Sequence, residues 1–132
     1  MGIAYADSSA LVKLIVAEDE SAAVQRWFVE APQIACSRVS IIETARAAGR
    51  REHDAAHRDW VLAQPVVVEL DATIAALAAT VAPATLRSLD AIHLATALAL
   101  LPDLDAFVTY DDRLAGAARA LGLPVVRPGE NV

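Results

Sequence analysis

Five acidic side chains in this 132-residue chain stand where a carboxylate can do chemistry. Asp7 follows the apolar run IAYA, Glu43 lies in SIIETARA, Asp90 opens LDAIHLATAL, and the doublet Asp111 and Asp112 follows AFVTY. Carboxylates drawn to one point repel one another unless a cation neutralises them. Oxygen donors without converging His or Cys partners favour Mg2+, with Mn2+ as a substitute, over zinc. Such an ion lowers the pKa of a bound water and holds a phosphate oxygen, and a second ion about 4 Å away would stabilise the leaving oxygen. With no P-loop and no nucleophilic Ser or Cys arrangement, an all-carboxylate site points to phosphodiester hydrolysis.

Each residue also has a local explanation. Asp7 and Asp111 suit helix N-caps, SIIE (residues 40–43) matches a capping box that would use Glu43 on the backbone, and Asp90 complements a helix N-terminus. What gives them weight is their common position. The stretch 86–101 reads as a central helix, apolar on nearly every side, with Ser88 as its cap. A carboxylate at the start of a buried helix needs a partner, because an unpaired buried charge costs several kcal/mol.

Stepping along the chain, strands are expected at 3–6, 33–37, 66–70, 106–110 and 124–126, each separated from the next by helical patterns. Ser8 or Ser9 is available to cap the first helix, and Gly122 to end the last. Alternating strands and helices predict an α/β fold: one three-layer domain over residues 1–132, a short parallel sheet of about five strands flanked by helices. In such sheets ligands bind beyond the carboxyl ends of the strands, near the point where strand order reverses. Asp7, Glu43, Asp90 and Asp111 all fall on that edge. Asp71, after the third strand, is assigned to capping, because an outer strand holds it away.

Composition narrows the class. With 56% hydrophobic and 21% charged residues, the chain is too apolar for disorder. Seventeen acidic against eleven basic residues give a net charge of −6, which argues against non-specific nucleic-acid binding through a basic surface but not against a metal-dependent nuclease. Cys36, the one cysteine, reads as a small buried hydrophobe. No leader, myristoylation pattern or membrane-length apolar run is present, so a cytoplasmic protein without membrane attachment is expected.

The strings YADSSALVKLIVAE, SIIETARA, SLDAIHLATAL and FVTYDDRLAGAARALGLPVV, in this order and spanning nearly the whole chain, resemble the PIN-domain family and specifically its VapC-like toxin ribonucleases. The resemblance implies a Mg2+-dependent endoribonuclease that cuts cellular RNA, inhibits translation, forms a homodimer and is silenced by a cognate antitoxin. It places an acidic quartet at Asp7, Glu43, Asp90 and Asp111, with Thr109 as a supporting polar residue and Asp112 able to share or replace the fourth role. On this reading Asp7 and Asp90 anchor the metal, Glu43 orients or deprotonates the attacking water, and Asp111 completes the set. Helices around 8–30 and 38–62 are the expected dimer and antitoxin contacts.

Weaker signals are read conservatively. His93, one turn after Asp90, is assigned to the core, bonded to a neighbouring carbonyl. His53 and His57 in HDAAH approach a zinc-protease pattern, but lack a third ligand and sit in a polar helix. Arg46, Arg50, Arg51 and Arg58 suit either an RNA groove or a solvated face. Trp27 and Trp60 read as packing or interface residues. Two rivals remain: a catalytically silent PIN-fold binding module, and a phosphoacceptor receiver-like domain, which would need its acidic pair after the first strand and a late lysine. Lys13 is the only lysine.

Overall fold

β1 (Ile3–Ala6) runs through the middle of a five-stranded parallel sheet of order β3-β2-β1-β4-β5, with β2 at Ile34–Ser37, β3 at Val66–Val68, β4 at Leu104–Val108 and β5 at Val125–Val126. The computed structural model describes residues 2–130. Tyr5 is in register with Ala35 of β2 and Phe107 of β4, and Ala6 with Val108. The chain fills one side of the sheet with β2 and β3 and then returns to the other side of β1 with β4 and β5. Strand order therefore reverses between β1 and β4, where a crevice opens at the carboxyl ends.

Both faces of the sheet are covered, as parallel strands require. Successive side chains point to opposite faces. Ala4, Ala6, Cys36 and Val108 pack with Leu11, Val24 and Val61 on one side, while Tyr5 and Phe107 pack with Leu94, Leu114 and Ala118 on the other. The first layer is built from α1 (Ser8–Leu11) and its 3-10 continuation Val12–Leu14, with α2 (Ser21–Glu30), α3 (Arg38–Gly49) and α4 (Ala55–Ala63). The second holds α6 (Ser88–Leu98) and α7 (Asp112–Ala120), with α5 (Ala72–Thr80) packed against α6.

Several boundaries differ from expectation, for local reasons. The fourth strand starts two residues early and ends at Val108, so Thr109 and Tyr110 belong to the loop that follows it. The third is only three residues long, as a sheet edge often is. Ser88 does not cap α6: Arg87 is the N-cap and no side chain closes that turn. Nor is the stretch 86–101 buried all round, since Leu89 in α6 and Leu101 beyond its end are about half exposed. The buried face of α6 is Ala91 and the run from His93 to Ala97.

Two signals hold as read. Gly122 adopts φ +79°, and the Leu123 and Gly122 N–H groups close α7 onto the Ala118 and Arg119 carbonyls at 3.0 and 2.9 Å. Asp71 sits beyond edge strand β3 and caps α5 through the Ile74 N–H at 2.9 Å. Asp71→Ala is expected to lower stability by about 1 kcal/mol, measured by urea denaturation with an unchanged slope.

Candidate active site

Asp7 ends the central strand and is only 3% exposed. Its Oδ1 accepts from the Ser9 hydroxyl at 2.7 Å and from the Ala10 N–H at 3.1 Å, so of the caps its sequence offers α1 uses Asp7 and not Ser8 or Ser9. Its Oδ2 accepts from the Thr109 hydroxyl at 2.6 Å. Ser9 Oγ in turn accepts from the Tyr110 N–H at 2.7 Å, tying the end of β1 to the loop after β4. All these partners are neutral. Burial pushes the Asp7 carboxyl above its ordinary range, against the opposing pull of His93 and of the three hydrogen bonds.

Thr109 joins the next carboxylate. Fully buried, it accepts from the Asp111 N–H at 3.1 Å while donating to Asp7. Asp111 caps α7, its Oδ1 taking the Arg113 and Leu114 N–H groups at 2.9 and 3.1 Å. Asp111 also faces Asp90: burial first and the Asp111 charge second push Asp90 upward, opposed by His93, Arg113 and Arg87. Asp112 turns the other way. Its side chain is 93% exposed and pairs with Arg127 at 2.7 Å, so of the doublet it is Asp111 that lies with the other carboxylates.

Glu43 arrives from α3. The capping box expected there is absent, because α3 begins three residues earlier, with Ser37 as its cap on the Val39 N–H at 3.1 Å. Glu43 is thus mid-helix, and its Oε1 lies 2.8 Å from His93 Nε2. His93 is buried as expected, but its partners are Glu43 and the Tyr5 hydroxyl, 2.6 Å from Nδ1, and not a backbone carbonyl. Ser9, Tyr5 and His93 are the residues of this site that pattern reading under-used. The only sequence signal for them is adjacency to Asp7 and Asp90.

The structure therefore brings Asp7, Glu43, Asp90 and Asp111 to one edge, where Thr109 joins Asp7 to Asp111 and His93 holds Glu43. It does not draw them into a closed ligand cage: among the described residues no three His, Cys, Asp or Glu side chains are gathered closely enough to hold a metal ion. Asp7, Glu43 and Asp111 are each turned toward their own hydrogen-bond donors, and like charges keep apart. The donors still suit a hard divalent cation, being oxygens with a buried, unneutralised Asp7 at their centre; among the described residues Asp7, Asp90 and Asp111 form no ion pair.

The raised Asp7 pKa has a stability consequence of definite sign. A carboxyl whose folded pKa lies above its unfolded value, about 3.9, destabilises the fold when ionised. That penalty is absent at lower pH, grows as pH rises past the unfolded value and is complete above the folded one. Asp7→Asn keeps the Ser9 and Ala10 bonds, and its amide can donate to Thr109. In metal-free buffer it is expected to raise the melting temperature at pH 7–8, with the gain shrinking toward pH 4. Calorimetry across that range checks it, and a variant less stable at every pH would contradict it.

The PIN domain model matches residues 4–120. The chain belongs to the PIN domain family. Its relatives include ribonuclease VapC46 of Mycobacterium tuberculosis, 41% identical over 97% of this chain and 99% of that protein. Ribonuclease VapC35 of the same organism is 42% identical over 96% of this chain and 97% of its own length. Among solved structures, this PIN domain is similar to Mycobacterium tuberculosis VapC20, described as a Sarcin-Ricin loop cleaving toxin, with TM-score 0.71 and 18% identity over 95% of this chain and 99% of that one. FitAB bound to an IR36 DNA fragment follows at TM-score 0.67 and 15% identity, over 98% and 97%. These two share the fold.

Elsewhere in the PIN domain the weaker signals resolve. His53 Nδ1 lies 2.9 Å from the Arg51 carbonyl and His57 Nε2 2.8 Å from the Leu14 carbonyl, so the HDAAH histidines are tied to backbone and Asp54 caps α4. Arg51 and Arg58 pair with Glu18 and Asp59, which leaves Arg46 and Arg50 of that group without an ion pair among the described residues. Lys13 pairs with Glu20 at 2.6 Å and Glu18 at 3.4 Å and lies over the Tyr110 ring, 4.6 Å from its centroid; the match to the PIN domain model is what removes the receiver-like reading. No helix among the described residues is long and apolar enough to cross a membrane.

Proposed function

We propose that this PIN domain is a Mg2+-dependent endoribonuclease, the toxin of a toxin-antitoxin pair, which hydrolyses RNA phosphodiester bonds and so inhibits translation. The observation that carries the reading is the hydrogen-bonded web joining Asp7, Thr109 and Asp111 at the reversal point of the sheet, with Glu43 fixed on its flank. The nearly full-length similarity to proteins named ribonucleases supports it.

Mg2+, or Mn2+ in its place, would be held by Asp7 and Asp90 with Glu43 and Asp111 beside them, and when bound would supply Lewis acidity at the phosphate and a more acidic water. The protein's own groups do the rest. Hydrolysis adds water across one P–O bond; Glu43, with one oxygen on His93, has the other available to orient the water and take its proton. Thr109 holds Asp7 in place through its hydrogen bond to Oδ2. Arg87 and Arg113 lie close enough to Asp90 to pull its pKa down, and among the described residues neither forms an ion pair, so on this acidic protein they are the cations an RNA backbone meets at the site.

The antitoxin is the partner proposed for an apolar groove between α2 and α4, lined by Phe28, Val29, His57 and Trp60. Val29 is 82% and Trp60 57% exposed, apolar surface that a bound partner would cover. A homodimer is proposed as well, and light scattering of the protein alone and with its antitoxin measures both associations. The decisive experiment incubates purified protein with total RNA, with and without Mg2+, and maps the new ends. Discrete Mg2+-dependent ends are expected. Intact RNA together with no Mn2+ binding would favour the silent binding module.

A further inference from the structure

We propose that His93 is a positioning residue: held by the Tyr5 hydroxyl through Nδ1, it donates its Nε2–H to Glu43 and fixes that carboxylate for its task. The inference rests on the nuclease reading. It starts from three residues on three elements. Tyr5 is fully buried in the central strand, stacked on Phe107 with ring centroids 5.2 Å apart and set edge-on to His93 at 6.0 Å. His93 is 3% exposed on α6, and Glu43, on α3, is about a quarter exposed. The line Tyr5 Oη to Nδ1 at 2.6 Å and Nε2 to Glu43 Oε1 at 2.8 Å runs from the core to the edge of the site.

The donors can be assigned from valence. A carboxylate offers only lone pairs, so the ring nitrogen facing Glu43 must carry a hydrogen. With the imidazole neutral, as the proposal has it, the one N–H faces Glu43 and Nδ1 accepts the single phenolic hydrogen of Tyr5. Ser40 Oγ, 3.5 Å from both Tyr5 Oη and Nδ1, closes the remaining space with a polar group. Tyr5 thereby sets the tautomer, and the tautomer sets which atom reaches Glu43. The consequence is orientation. A glutamate mid-helix has three rotatable bonds, and a buried donor on one oxygen removes most of that freedom and leaves the other oxygen for the reacting water.

The test has two arms. Nitrogen-15 NMR of the metal-free wild type reads the tautomer directly: Nδ1 without hydrogen and Nε2 with one is expected, and a proton on Nδ1 overturns the proposal. In the kinetic arm, His93→Ala is expected to lower kcat on RNA about 10–100-fold, the usual loss for a residue that orients a ligating group, with KM nearly unchanged. His93→Gln, whose amide nitrogen reaches about as far as Nε2, recovers most of the loss, and Tyr5→Phe falls between. Wild-type kcat in His93→Ala, or a Gln variant no better than Ala in protein that melts normally, overturns the proposal. A wild type that cuts no RNA with Mg2+ or Mn2+ defeats the nuclease reading instead, and the NMR arm still decides the hydrogen bonds.

Discussion

Asp90→Asn is expected to lower RNA cleavage by at least about 10²–10³-fold while melting no lower than the wild type. The two halves of that result come from the same environment. Asp90 is half-buried at the first turn of α6, pushed upward by burial and by the Asp111 charge. It caps nothing, because Arg87 is the N-cap of the helix. Neutralising it removes repulsion from the fold and a charged oxygen donor from the site, so stability and activity move in opposite directions. Cleavage assays at saturating Mg2+ and a thermal melt on the same preparation check both halves. Full activity in cleanly purified Asp90→Asn would defeat the metal-anchoring role, and a large fall in melting temperature would mean that the carboxylate is structural.

Phe107→Ala is expected to be the most destabilising of the substitutions considered. Phe107 is fully buried at the centre of the layer formed by Tyr5, Leu94, Leu104, Leu114 and Leu123. Truncating such a ring costs about 3–5 kcal/mol through lost burial and the cavity left behind, a large part of a typical total of about 5–15 kcal/mol. A fall in melting temperature of roughly 10–20 °C follows. The substitution also removes the ring on which Tyr5 stacks, so below the melting point the folded protein should cut RNA more slowly. Leu89→Ala is the contrast: the side chain is 48% exposed, and its loss should change stability by no more than about 0.5 kcal/mol. Equal effects at the two positions would contradict the assignment of buried and exposed faces.

That contrast marks where reading the sequence worked and where it stopped. Alternating periodicities were enough to order strands and helices, to put Asp71 on an outer strand and Asp7 on the inner edge, and to bring four distant carboxylates to one side. They could not distinguish Leu89 from Leu94. Both are leucines in one apolar run, and only the packing of α6 against the sheet and α5 decides which is covered. Nor could they pair His93 with Glu43, fifty positions away, or with Tyr5, eighty-eight away. Hydrogen bonds of that span are set by how three elements meet and leave no local pattern. The choice among caps has a related cause: Ser8, Ser9, Ser88 and Ser40 are all competent, but α1 and α3 take the residue that the end of the preceding strand has already placed, Asp7 just after β1 and Ser37 at the end of β2.

Arg127 has a wider bearing than its ion pair with Asp112. Its Nε donates to the Thr109 carbonyl at 3.0 Å, and the Tyr110 hydroxyl donates to the Pro128 carbonyl, so residues 127–128 clasp the loop that presents Thr109 and Asp111. Those residues are added after every acidic group of the quartet during synthesis. A nascent chain thus carries all four carboxylates before it owns the clasp, and the loop that presents Thr109 and Asp111 is tied down from that side only once residues 127–128 have been added.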